Sequence, residues 1–340
     1  MKKLFLSLVA AIVAATASYA QNTLVATLSH GEDITMFYGT NALKNAMNAA
    51  QSGDVINLSG GGFQATNITK AVTLRGTGID VAAPTYINGD FTINIPSDDT
   101  NRLSMEGVRC TGSITMKGTF NNPYFVKSHF YNFYYNDNPI IKNAMFANCR
   151  ITNKYLLNGA STVQFINSYV SGFTNGDQTN TAASFINCLI KPQSYYLNAY
   201  SQYRPENIIN SQLLNCIIFT DSSFPQSNQL PASSIATNCV SITFDNLFGT
   251  QTANTCNSTA TFAQLFKDFT GAYSDSQTFE LTDEASATYL GNDGTEVGLY
   301  GGMLPYTSTP SYPQITKMNV ANKATADGKL SVEIEVSAAE

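Results

Sequence analysis

Seven times along the chain a six-residue phrase returns: MEGVRC, FVKSHF, FANCRI, FINSYV, FINCLI, LLNCII and ATNCVS, centred on Gly107, Lys127, Asn148, Asn167, Asn187, Asn215 and Asn238. Successive centres lie 20, 21, 19, 20, 28 and 23 residues apart. A unit of this length cannot bury an apolar face by itself, so its copies must stack and the chain must be a solenoid. Leucine-rich repeats share the period, but their leucine consensus is absent.

The residue two before each centre is large and apolar in six copies: Met105, Phe125, Phe146, Phe165, Phe185 and Leu213, with Ala236 in the last. One after the centre stand Val108, Ser128, Cys149, Ser168, Cys188, Cys216 and Cys239. Three after it stand Cys110, Phe130, Ile151, Val170, Ile190, Ile218 and Ser241. Apolar or small residues at alternate positions mark a strand with one buried face. The centre interrupts the alternation. Because Gly and Asn enter the left-handed region at least cost, the phrase reads as two short strands joined by a sharp bend.

This pattern resembles the right-handed parallel β-helix of the pectate lyase class, over roughly residues 54 to 300. The resemblance implies an all-β chain, a right-handed parallel β-helix solenoid whose coils turn at the bend and stack their asparagines into a ladder. The catalytic motifs of that class are not recognisable, so the resemblance carries architecture and no reaction.

Six cysteines in an exported chain would ordinarily suggest disulfides. Here Cys149, Cys188, Cys216 and Cys239 share one register, with Ser128 and Ser168 filling the coils between. They should point inward in a column, where parallel Cβ vectors suit a disulfide poorly. Reduced, buried packing is the expectation. Zinc is not expected, since no CxxC pair or ligand histidine accompanies them.

MKKLFLSLVAAIVAATASYA reads as a signal peptide over residues 1 to 20, with an apolar run too short to span a bilayer and no cysteine after the cleavage site for a lipid anchor. Nothing later is apolar for long enough to cross a membrane. Residues 21 to 305 should form the β-helix, capped at its start by a short helix over 41 to 51 with Asn41 as N-cap. TFAQLFKDF (261 to 269) reads as a second short helix, and the glycine-rich 289 to 306 as the closing segment. Residues 306 to 340 are expected to form a proline-rich linker and a two-stranded β tail.

Only 12% of residues are charged and the net charge is -6, which argues against nucleic acid as a partner. Two residues after each centre the side chain should face outward: Arg109, His129, Arg150, Tyr169, then Leu189, Ile217 and Val240. The first four form the candidate ligand-binding column, suited to a polysaccharide or cell-surface glycan through guanidinium hydrogen bonds and ring stacking. Ordinary solvated side chains are the competing reading. Gly107, Asn148, Asn167, Asn187, Asn215 and Asn238 are structural turn positions. No metal or other cofactor is expected; calcium would enter only if the chain were a polysaccharide lyase. That alternative has candidate bases in Arg109, Lys127, Arg150 and Lys142, but Glu106 is the only carboxylate in the seven phrases. The expected role is therefore secreted or cell-surface recognition of an adhesin-like kind, with the lyase and a structural spacer as alternatives.

Overall fold

The computed structural model describes residues 24–175, 180–197, 200–220, 228–250, 256–269, 277–320, 327–329 and 331–337; the expected signal peptide lies outside them. The chain forms a parallel β-solenoid of about eight turns. One sheet stacks Val55–Leu58, Thr73–Arg75, Ser104–Glu106, Tyr124–Val126, Ala144–Ala147, Thr162–Ile166, Ala182–Ile186, Ser211–Leu214 and Ile235–Thr237. A second sheet stacks the strands that follow each bend, from Val108–Met116 to Val240–Ile242.

Every proposed bend is left-handed. Gly107 has φ 68°, Lys127 46°, Asn148 53°, Asn167 43°, Asn187 51°, Asn215 55° and Asn238 49°. Across the bends, the residues two before the centre pair coil to coil, so Phe125, Phe146, Phe165 and Phe185 stack with ring centroids 4.5, 5.1 and 5.0 Å apart. A second stack, Phe133, Tyr155 and Phe173, meets the first edge to face. Geometry of that kind adds to what area burial already contributes.

The small residue after each bend does more than fit. Ser128, Cys149, Ser168, Cys188, Cys216 and Cys239 each donate to the carbonyl two residues back, which also accepts the backbone N–H of the bend residue on the preceding coil. The backbone N–H of Cys149 in turn donates to Ser168 Oγ at 3.0 Å, and that of Cys216 to Cys239 Sγ at 3.4 Å. In these six copies the position therefore favours a compact side chain that both donates and accepts, as Ser and Cys do; Val108, after Gly107, keeps only the small size. None of the six cysteines is in a disulfide. Burial pushes the Cys149 thiol up to about 12. Native protein at pH 8 should therefore leave Cys110, Cys149, Cys188, Cys216 and Cys239 unlabelled by a thiol reagent over minutes, with half-buried Cys256 reacting first and all six reacting after denaturation. Mass-resolved labelling checks this.

At the start of the rod an antiparallel hairpin, Val25–His30 with Asp33–Tyr38, pairs with the edge of Val55–Leu58. The capping helix is Ala42–Ala49, which buries Ala42, Leu43, Ala46 and Met47 on the first coil. It is shorter than the expected 41 to 51, and Asn41 makes no side-chain cap. Its far end is closed by Lys70, whose ammonium donates to the carbonyls of Met47, Asn48 and Ala50 and so satisfies groups that a helix C-terminus leaves open. A short helix at Phe262–Leu265 carries a Thr261–Gln264 capping box, and a further one lies at Asp283–Thr288.

The segment after residue 289 does not close the far end. It turns and runs back along the bends towards the start of the rod, one coil after another. Asn215 exchanges hydrogen bonds with Asn292, and Asn187 donates to the Glu296 carbonyl. Asn167 donates to the carbonyls of Leu299 at 2.8 Å and Gly301 at 2.7 Å. Asn148 donates to Leu304 and accepts from the Thr307 N–H. Lys127 donates to Ser311, and Tyr312 reaches the Gly76 carbonyl. The bend asparagines therefore hold this return segment: Asn148, Asn167 and Asn187 donate to its backbone and Asn215 to the Asn292 side chain. The expected linker at 306 to 313 is part of the same strap. Beyond it Gln314–Val320 and Val332–Ser337 pair as an antiparallel two-stranded tail.

Candidate functional site

The outward column has the expected register. His129 pairs with Arg109 and Arg150, Arg150 with Tyr169, and Tyr169 with Leu189, followed by Ile217 and Val240. Its exposure differs from expectation at Tyr169, a candidate ligand contact that is fully covered. Tyr169, Leu189, Ile217 and Val240 are buried in a second apolar cluster with Phe219, Leu265, Phe266, Phe279, Leu281, Val297 and Leu299. The cover comes from residues 262 to 269 and 279 to 306; the insertion between Asn187 and Asn215 forms a hairpin, Ser194–Leu197 with Tyr200–Tyr203. An outward apolar column must lose its water contact somewhere, and the returning chain is what removes it.

The basic members are committed to their own chain. Arg109 donates to the Ile79 carbonyl and pairs with Asp80 at 2.8 Å. Arg150 donates to Tyr306 Oη at 3.0 Å and to the Gln277 carbonyl at 3.2 Å, with its guanidinium 5.3 Å from the Tyr306 ring centre. Burial works against that charge, but Tyr306, Asp80 and Tyr300 more than offset it and hold the Arg150 pKa above its ordinary value. Arg150 thus pins the cover in place. His129 is half-buried, its Nε2 3.0 Å from Thr152 Oγ1.

Thr152 leads into a concavity that the column did not include. Between the paired inward positions Ile151 and Tyr155 the coil has three residues: Thr152, Asn153 and Lys154. On the next coil, between Val170 and Phe173, there are two, Ser171 and Gly172; on the next, between Ile190 and Pro192, only Lys191 remains. The coils therefore shorten stepwise, and stacked register shifts of this kind re-aim side chains. The step hollows a groove of about 400 Å³ lined by Thr152, Asn153, Lys154, Ser171, Gly172, Lys191, Pro192, Gln193 and Ser194. A smaller hollow of about 280 Å³ continues it, sharing Gln193 and Ser194 and adding Arg204 and Asn207. Asn153 is oriented by a bond of 2.7 Å to Asn132, which in turn donates to Ser113.

No family model, curated protein or solved structure matches this chain.

The lining combines hydroxyls, amides, ammonium groups and the Arg204 guanidinium, and none of its described residues is a carboxylate. Such a surface can hydrogen-bond a polyol and attract an anion; among its described residues there is no acid pair of the kind glycoside hydrolases use. Among the described residues no cluster of three or more His, Cys, Asp or Glu side chains is poised to hold a metal, and no described helix is long and apolar enough to cross a membrane. Lys154, Lys191, Asn153 and Gln193 escaped the sequence reading because their juxtaposition depends on how many residues each coil omits. The signal that was present lies in the column itself: its change from Arg and His to Leu, Ile and Val marks where solvent is excluded.

Proposed function

We propose that this chain is an exported protein, released or displayed at the cell surface, that uses a right-handed β-helix of the pectate lyase type to recognise glycans without chemistry. The observation that carries the reading is the stepped groove beside the hairpin. It presents neutral hydrogen-bonding side chains on three successive coils, in a form that a chain of sugars lying along the rod can follow. The signal-like first twenty residues support export. The arginines argue for binding over lysis: an eliminating base needs a lowered pKa, and Arg150 is shifted the other way while engaged by Tyr306.

The test is a glycan array probed with the purified chain from residue 21, alongside incubation with acidic polysaccharides with and without calcium. The expected result is binding of at least one extended polysaccharide and no gain of ultraviolet-absorbing unsaturated ends. Appearance of those ends would replace this reading with a lyase; failure to bind any glycan would leave a structural spacer.

A further inference from the structure

Two apolar strips stay open to solvent at the starting end of the rod. The first is on Asp33–Tyr38, which among the described residues pairs on one side only. Its Phe37 packs on the core, while Ile34, Met36 and Tyr38 face the other way. The second is on the tail, where Val332, Ile334 and Val336 repeat the same spacing, with Val320, Met318 and Ile315 as their register partners. Ile34, Met36, Tyr38, Val332, Ile334 and Val336 are each at least 50% exposed.

The strips also share a side of the molecule. Directly paired residues point to the same face of a sheet, and Met36, Thr27, Asn57 and Arg75 pair one after another across four strands. Tyr312, two residues before the tail begins, has the Arg75 guanidinium 5.2 Å from its ring centre. The tail therefore leaves the return segment on the face that carries Ile34, Met36 and Tyr38, about three strand spacings from them.

The geometry points to a dimer of this chain, in which the tail of each copy lies across Ile34, Met36 and Tyr38 of the other. A two-stranded ribbon is marginal by itself and needs a further layer to pack on. An edge strand rich in apolar and aromatic residues invites a partner unless lysine or proline guards it, and Asp33–Tyr38 has neither. Within one copy both strips remain exposed although they are near neighbours, so their cover comes from a second molecule. Another copy of the chain supplies both halves at once: each strip is apolar at every second position over five residues, a length along which facing sheets can pack. Area decides between one contact and two. At roughly 100 Å² for each exposed side chain, a reciprocated contact removes on the order of 1,200 Å² from water, where stable interfaces begin; a single contact would remove about half of that and fall among incidental ones. Because both strips belong to one end and one face, the exchange closes under a two-fold axis and leaves no strip to recruit a third copy.

Sedimentation of the chain from residue 21 should show monomer passing to dimer in the micromolar range, with no larger species. Met36→Asp and Ile334→Asp should each raise the dissociation constant by about tenfold or more, since each buries a charge in the contact. The melt of the monomer should not change, because both positions face solvent in a single copy. An equimolar mixture of the two variants should regain part of the association: the tail of the Met36→Asp chain and the strip of the Ile334→Asp chain are both intact. Under mild oxidation, Met36→Cys mixed with Ile334→Cys should give a disulfide-linked pair in higher yield than either variant alone, with the parent chain and its half-buried Cys256 as background. A monomer at every concentration, species that keep growing beyond two copies, or a dimer indifferent to both substitutions would overturn the inference. So would a chain with both cysteine substitutions that forms the bond only within itself, since the tail would then cover its own copy.

Discussion

Replacing Gly172 with alanine is expected to lower stability by about 2–5 kcal/mol and to abolish ligand binding in the groove. Two causes add. Gly172 has φ 64°, where a residue with a Cβ carries roughly 1–2 kcal/mol of strain. A Cβ built there would also lie 2.1 Å from the Asn153 carbonyl oxygen of the coil below, so that backbone, and not merely a side chain, must move. Gly294→Ala separates the two contributions, because Gly294 has φ 79° and open space around it. Thermal denaturation of both variants should show a fall of about 5–15 °C for Gly172→Ala and much less for Gly294→Ala. Equal losses would show that the close approach of the two coils adds nothing.

The second large effect is expected at Asn167. This residue is 1% exposed, its φ is 43°, and its amide donates both hydrogens to return-segment carbonyls. Asn167→Gly keeps the bend and loses the bonds, leaving two buried acceptors at a cost of about 1–3 kcal/mol each at most. Asn167→Ala loses the bonds and strains the bend as well. Asn167→Asp keeps a side chain of the same shape but turns acceptors towards acceptors. Stability should therefore fall in the order wild type, Gly, then Ala and Asp. The local signature is more specific than the melt: with the return segment loosened, the cluster around Tyr169, Phe219 and Phe279 opens, so proteolysis within 291–304 and binding of an apolar dye should both rise. A glycine variant as stable and as protease-resistant as wild type would remove the asparagines from any holding role.

The stacked coils were legible because each winding repeats a local demand. A bend at positive φ restricts its residue to Gly, Asn or, as at Lys127, an occasional exception; the neighbouring inward positions restrict size. The two-stranded tail and the start of the capping helix follow from equally local patterns. The return segment was not legible, since Asn167 and Leu299 are 132 positions apart and no period links them. The sequence pattern points to asparagine as a bend residue and, through the resemblance, as a rung of a ladder; it says nothing of a distant segment held by the same amides. That use became visible only once the glycine-rich 291–302 lay across them. The same limit applies to the groove: Lys154 and Lys191 belong to different coils, and what brings them to one hollow is the number of residues each coil omits.

The course of the return segment also decides how the rod bears load. It ends with Tyr312 against Gly76, which follows a strand two neighbours away from Val25–His30. Traction between residue 25 and residue 313 therefore acts at one end of the molecule and bypasses most of the windings. Under such a pull the asparagine attachments part singly, starting from the Tyr312 end, as in a peeled seam, while the stacked coils beneath them and the hollow on their flank keep their form.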